Sequence, residues 1–205
     1  MKVPRIVTLV LSLSLIGAAS VAASSMWGEY EGYSKTRLLI NNQEKTFDGE
    51  EAPAFLMKGS AVFPVRVLSD SLQALVKWDS SAQTVSVHKP NVHMFVAKKV
   101  DDDYSIKQPF GGVKKGDRLD FAVFAQVDSL TTPFHSFKIS IETPSGELAA
   151  PAHEKVVAGQ KENFWYPWPF TVSFNKAGNY TVKFSIKLEE GGDYVVVSEK
   201  KILSE

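Results

Sequence analysis

Four histidines (His88, His93, His135 and His153) and a run of three aspartates (Asp101, Asp102 and Asp103) are the residues with which this chain could hold a metal ion, since its 205 residues include no cysteine. Their spacing speaks against that use. His88 and His93 straddle Pro90 and lie an odd number of residues apart, so on one continuous strand they would point to opposite faces. The aspartate run lacks the spaced ligands and closing glutamate of a calcium loop, and reads as a solvated linker between domains. A nucleophile is equally hard to find. Ser145-Gly146 falls in "TPSGE", a hairpin turn without the G-x-S-x-G frame of a serine elbow. Gly111-Gly112 and Gly191-Gly192 lie between strand-like runs rather than ahead of a helix, where a phosphate-cradling loop needs them. No catalytic residue, metal ligand or cofactor is expected.

Chemistry of another kind is concentrated in "NFWYPWPF", residues 163–170, where Phe164, Trp165, Tyr166, Trp168 and Phe170 are interleaved with Pro167 and Pro169. Proline donates no ladder hydrogen bond, so the segment belongs at a sheet edge or in a loop rather than in a central strand. Rings displayed there can stack on sugars or grip a peptide, which makes these five aromatics the candidate binding residues. The same residues have an internal use, with Trp165 and Trp168 folded inward to plug the end of a sandwich. Both uses stay open on sequence alone.

The elements that must position these residues follow from hydrophobic period. Up to Pro90 the chain alternates hairpin-like and helical signals. "TRLLINNQEKTF" turns at Asn41-Asn42, "AFLMKGSAVFPVR" turns at Gly59-Ser60, and Pro64 suits a helix start. Val65, Leu68, Leu72 and Leu75 recur at helical spacing, and "VKWD" and "TVSVH" are strands joined by "SSAQ". Trp78 is expected to be buried against Leu68 and Leu72 as the lid of that helix. From Val92 onward the helical period disappears. "RLDFAVFAQV", "FKISIET", "FTVSFN", "YTVKFSIKL" and "YVVVSEKKIL" are strand-like runs separated by turn signals, the pattern of an antiparallel sandwich. Phe137, Ile139 and Ile141 oppose Lys138, Ser140 and Glu142, while Tyr180, Val182, Phe184, Ile186 and Leu188 oppose Thr181, Lys183, Ser185 and Lys187. One side is core and the other wet.

Composition sets the compartment and excludes partners. Lys2 and Arg5, the apolar stretch Ile6–Gly17 and the small residues up to Ala23 form an export signal, so residues 1–23 are read as a signal peptide and 24–36 as a leader. The 23 basic and 23 acidic side chains balance, and removal of Lys2 and Arg5 leaves the mature chain slightly acidic, which argues against a nucleic-acid partner. An exported chain without cysteine fits a bacterial envelope or the surrounding medium, with membrane contact only through an uncleaved signal.

Residues 37–88 resemble the copper amine oxidase N-terminal-like domain, also called the stalk domain, of exported proteins of Gram-positive bacteria. The resemblance rests on Ile40-Asn41-Asn42, Val62–Arg66, Leu72-Gln73-Ala74, Val76-Lys77-Trp78-Asp79 and Thr84–Val87. Asn42 and Gln73 stand where the family usually has glycine. In the oxidases themselves, the resemblance implies, copper and the quinone belong to a separate catalytic domain, the quinone being made from a tyrosine in T-x-x-N-Y-[DE]. Here Asn179-Tyr180 is present, but Lys176 and Thr181 replace the flanking threonine and acid, so "AGNY" reads as a turn entering a strand. The expected architecture is therefore mainly β: a small α+β stalk-like domain at 37–91, then an immunoglobulin-like antiparallel β-sandwich at 92–205. The expected role is non-catalytic: a secreted or envelope-associated protein contacting a protein or a wall glycan, or else an accessory of an enzyme, such as an inhibitor or folding helper, acting through residues 163–170. The purified chain is expected to give no amine-dependent peroxide and no quinone absorbance, and stoichiometric, tightly held copper in a metal analysis would overturn this.

Overall fold

The computed structural model describes residues 26–47, 49, 51–157 and 162–205, and the expected signal peptide lies outside them. The chain divides into two compact units, Met1–Pro64 and Val65–Glu205.

The described part of the first unit is three tight hairpins: β1 (Glu29–Tyr30) with β2 (Tyr33–Ser34), β3 (Leu39–Ile40) with β4 (Gln43–Glu44), and β5 (Phe55–Met57) with β6 (Ser60–Val62). Each turns through two residues of positive φ, namely Glu31-Gly32, Asn41-Asn42 and Lys58-Gly59. That geometry matches the right-handed twist of the flanking strands. The first hairpin lies in the segment expected to be a leader, and the third turns one residue earlier than Gly59-Ser60. Phe55 packs against Tyr30 and Tyr33 at 5.6 and 5.5 Å between ring centroids.

The second unit opens with α1 (Val65–Leu72), followed by the hairpin β7 (Leu75–Asp79) and β8 (Thr84–His88) around "SSAQ". Gln73 takes the left-handed conformation (φ 56°) that ends α1, with Ala74 N–H donating to Ser69 O at 2.8 Å and Gln73 N–H to Asp70 O at 3.3 Å. These are the two bonds of a Schellman cap, formed here without glycine. Lys89 Nζ donates to the carbonyl of Leu72 and satisfies an orphan acceptor of the last turn. Leu75 belongs to β7 rather than to the helix, and it is fully buried in the same apolar cluster as the sandwich core.

This placement of Leu75 overturns the expected role of Trp78. Alternation puts Val76 and Trp78 on the face opposite Leu75. Register sets Trp78 beside Val85 and Val76 beside Val87. Trp78 is 58% exposed, and Val85, Val87 and Leu72 are exposed as well. The strand commits its Leu75 face to the core, so the tryptophan cannot also serve as a lid. The contact expected with Leu68 lies outside the described side chains.

Strands β9 (Asn91–Val100), β10 (Ile106–Pro109), β11 (Gly112–Val113), β12 (Arg118–Asp128), β13 (Ser136–Glu142), β14 (His153–Val156), β15 (Phe164–Ser173), β16 (Gly178–Lys187) and β17 (Val195–Ser204) form two sheets. One has the order β10-β9-β12-β15, the other β11-β17-β16-β13-β14. All neighbours are antiparallel except β11 and β17. The inward stripes are those read from the sequence: Phe137, Ile139 and Ile141 on β13, and Tyr180, Val182, Phe184 and Ile186 on β16, face Phe121, Val123, Ala125 and Val127 on β12 in one buried cluster. Each such side chain contributes about 1.5–3 kcal/mol on burial. At the corner leading into β16, Tyr180 Oη accepts a hydrogen bond from Lys176 N–H at 3.1 Å, the tyrosine corner of immunoglobulin-like sandwiches. Gly178 holds φ 118°, and a Cβ there would lie 3.2 Å from Pro144, so "AGNY" is indeed a glycine-dependent turn into a strand. The aspartate run is not an interdomain linker: Asp101–Ser105 forms the turn between β9 and β10 within the sandwich.

Rings close the side where the outer strands β14 and β15 of the two sheets meet. His153 on β14 stacks on Trp168 at 3.3 Å between centroids and meets Tyr166, with its Nε2 2.7 Å from Tyr166 Oη. Tyr166 in turn lies edge-on to Phe137 at 4.8 Å. Burial, aided by the nearby Lys155 cation, pushes the His153 imidazole below its ordinary value, and burial pushes the Tyr166 phenol up.

Two measurements test this account. In chemical denaturation, Leu75→Ala should cost about 2–5 kcal/mol, while Trp78→Ala should stay within about 1 kcal/mol of the parent, the reverse of what a lid would give. The His153 shift fixes the sign of a pH dependence. Because the folded state favours neutral imidazole, its contribution is complete above the ordinary value of about 6.5 and is lost as pH falls from there through the lowered folded value. His153→Phe, which keeps a stacking ring on Trp168, should flatten stability against pH in that range, and an unchanged slope would remove His153 from this role.

Candidate functional site

Strand alternation divides the five aromatics of 163–170. Even positions turn inward: Phe164, Tyr166 and Trp168 pack against the core cluster, and Phe170 is buried in it. Odd positions turn outward, so Trp165, Pro167 and Pro169 share the outer face, with Trp165 49% exposed. The segment is an edge strand, paired with β12 alone. The five rings are therefore not one binding patch, because a period of two cannot place neighbours on one face. The expected plug and the expected display each describe part of the strand: Trp168 folds inward and Trp165 does not.

What the register gathers around Trp165 is a surface the sequence reading did not assemble. Across β9, β12 and β15, successive outward rows are Ala97, Ala122 and Pro169, then Phe95, Phe124 and Pro167, then His93, Gln126 and Trp165. Phe124 points out of the sandwich yet is only 4% exposed. It is covered by Trp165 at 5.9 Å and by Tyr104 at 5.9 Å, and those two rings meet edge to face at 5.5 Å and 83°. Tyr104 and Phe95 are themselves exposed.

The turn that carries Tyr104 is built by its acids. Tyr104 N–H donates to Asp101 O at 2.9 Å, Ser105 N–H to Asp103 Oδ1 at 2.9 Å and Ser105 Oγ to Asp101 Oδ2 at 3.2 Å, with Tyr104 at φ 63°. The Lys99 ammonium, 2.6 Å from Asp101, holds that carboxyl below the usual carboxylate range, and the Ser105 amide does the same for Asp103. The run of three aspartates thus shapes a loop that presents a ring. Sequence signals for this surface existed. Phe121 and Phe124 lie three apart on one strand, so one of them has to face outward, and "NVHMFVAKKV" carries the apolar residues of a further strand.

Beside the rings lies a shallow cavity of about 620 Å³, floored by Ala122, Pro167 and Pro169 and bounded by Lys99, Asp120 and Thr171. Thr171 Oγ1 donates to Asp120 Oδ1 at 2.5 Å. The other sheet's outer face has a different character. It presents Lys138, Glu142, Lys183 and Lys187, with Lys183 bridged to Glu142 at 2.7 Å and the ring of Tyr194 lying beneath the ammonium groups of Lys138 and Lys187 at 4.2 and 4.8 Å.

The remaining candidates are not brought together. His88, His135 and His153 contact Thr131, Ser136 and Tyr166 respectively, His93 lies opposite Gln126, and among the described residues no three His, Asp or Glu side chains converge as metal ligands. Ser145 accepts a hydrogen bond from Lys176 Nζ at 2.7 Å, but the same ammonium is bridged to Glu147 at 2.7 Å on the open surface, so the group is an ion-pair network around a turn. Among the described residues, no helix is long and apolar enough to cross a membrane.

Two solved structures are similar to this chain at a low level. The CARDB domain of a Pyrococcus furiosus protein, solved in complex with di-metal ions, is 12% identical with a TM-score of 0.31, covering 58% of this chain and 96% of that one. The C-terminal domain of wzt is 9% identical with a TM-score of 0.34, covering 64% and 78%. The comparison with curated proteins found no match. Residues 34–101, from the second strand of the first unit through the first long strand of the sandwich, match the family model of the copper amine oxidase N-terminal domain.

Proposed function

We propose that this protein is a secreted, non-catalytic binding protein of the bacterial cell envelope, and that it contacts its partner, a protein or a wall glycan, through the outer face of the four-stranded sheet. One observation carries the reading, the contrast between the two outer faces. A sandwich needs only its inner faces to be apolar, and the central strands β13 and β16 of the five-stranded sheet obey this with lysine, serine and glutamate outside, its exposed apolar side chains Val156 and Leu203 being aliphatic and on separate strands. The four-stranded sheet instead keeps Phe95, Tyr104, Phe124 and Trp165 outside, where they add nothing to the core between the sheets. Clustered rings on an open face, rimmed by polar groups, are the usual anatomy of a contact surface. The surface offers stacking faces and hydrogen-bonding groups, which suits recognition rather than bond making. The family match supports the same reading, being to an N-terminal domain of the oxidases.

A second reading, an accessory that plugs an enzyme, is favoured by one feature. Phe137, Val156, Val157, Phe164, Trp165 and Tyr166, with Lys155 as the one charged member, line a cleft of about 310 Å³ between β14 and β15, a size that admits one side chain of a partner. Incubation of the mature chain with purified, protein-free wall sacculi and with intact envelopes separates the two. Retention on either preparation is expected for an envelope protein, whereas clean flow-through from both would overturn that reading and put the accessory role ahead.

A further inference from the structure

We infer that the cavity over Ala122, Pro167 and Pro169 is a glycan subsite that takes a linear oligosaccharide lying along β15, from Thr171 toward Trp165. The inference rests on reading this outer face as the contact surface and goes further by choosing the class of ligand.

The order of chemistry along the strand makes the case. Asp120 and Thr171 stand at one end, the apolar floor of Ala122, Pro169 and Pro167 follows, and the ring cluster of Trp165, Tyr104 and Phe124 stands at the other end. Residues two apart on a strand are separated by about 6.8 Å, so Thr171 to Trp165 spans about 20 Å, room for several sugar units rather than one. A sugar ring is amphipathic, with C–H groups on its faces and hydroxyls around its rim. The floor has no hydrogen-bonding side chain and suits the C–H face, and an exposed indole suits it better still. Hydroxyls need acceptors. Asp120 uses Oδ1 to hold Thr171, and among the described residues its second carboxylate oxygen has no partner, which leaves it free to accept from a neighbouring pair of hydroxyls.

The same geometry disfavours an extended peptide. A peptide strand is gripped through unpaired main-chain groups at a sheet edge. Here β12 is paired on both sides, with β9 and with β15, and β15, the edge strand, carries Pro167 and Pro169, which donate nothing along its free side. Recognition must therefore come from side-chain faces and the polar groups at the end of the floor, which is the way a glycan is held.

The test uses the mature chain and two probes: glycan strands released from peptidoglycan by amidase, which carry no stem peptide, and cellohexaose as an unrelated linear glycan. Titration calorimetry and tryptophan fluorescence report binding. The glycan strands should bind and perturb tryptophan emission. Asp120→Asn and Trp165→Ala should each weaken binding by about tenfold or more, on the scale of a central contact residue. Ala122→Gln, which fills the floor, should do the same, and denaturation midpoints establish that each variant folds. Retention on intact envelopes without binding to glycan strands or cellohexaose would overturn the glycan subsite while leaving the envelope reading in place. Glycan binding that survives all three substitutions would overturn this location. Clean flow-through from sacculi and envelopes, with no binding to either probe, would remove both.

Discussion

No disulfide joins the two sheets of the sandwich, so the architecture depends on how well the inward side chains of β12 pack against those of β13 and β16. β12 is the strand on which most other features rest. Its odd-numbered residues fill the core, its edges pair with β15 from Arg118 to Val127 and with β9 from Ala122 to Asp128, and its even-numbered residues form the centre line of the outer face. A shift of one residue in its register would move Phe121, Val123, Ala125 and Val127 out of the core and bring Asp120 and Gln126 in. The core therefore enforces the register that brings Phe124 between Phe95 and Pro167. A surface of rings is in this sense a by-product of interior packing, and it needs no ordering of its own beyond the loop that lays Tyr104 across it.

That loop shows how local polar chemistry completes what packing begins. Three consecutive carboxylates would repel one another in an extended segment. In the β9–β10 turn two of them are occupied, Asp101 by Lys99 and the Ser105 hydroxyl and Asp103 by the Ser105 amide. The charges become the fasteners of a short turn, and the residue between turn and strand is a tyrosine whose ring covers Phe124.

The sequence disclosed some of this and withheld the rest for definable reasons. Strand period exposed the inward stripes of β13 and β16, because both strands alternate cleanly between apolar and polar residues. Asn41-Asn42 announced its hairpin because few other residues accept positive φ, and the prolines of 163–170 announced an edge. What alternation cannot state is which of its two faces turns inward when both carry apolar residues. In β7 the choice lay between Leu75 and the pair Val76 and Trp78, and it was settled by the sandwich core, which a reading confined to the helix and hairpin does not include. In β15 seven consecutive aromatics and prolines masked the alternation that separates Trp165 from Trp168. The outer-face cluster was hidden most deeply, since Phe95, Tyr104, Phe124 and Trp165 come from four places in the chain and only sheet register unites them.

The prolines of β15 have a consequence for the behaviour of the protein in crowded surroundings. A sandwich that is not closed into a barrel has four free edges, and each is a template onto which a second copy could add a strand. On β15, Pro167 and Pro169 are two residues apart, so both ring nitrogens point the same way, away from β12, and they remove two donors from that edge. The outermost strands elsewhere are short: β10 runs four residues and ends in Pro109, β14 runs four with Glu154 and Lys155 at its middle, and β11 runs two and pairs with only Leu203 and Ser204 of β17. A chain that displays rings on one face would otherwise invite stacking into fibres. By closing the β15 edge to strand addition, the two prolines let the rings of the outer face stand beside that edge without a template for a second copy.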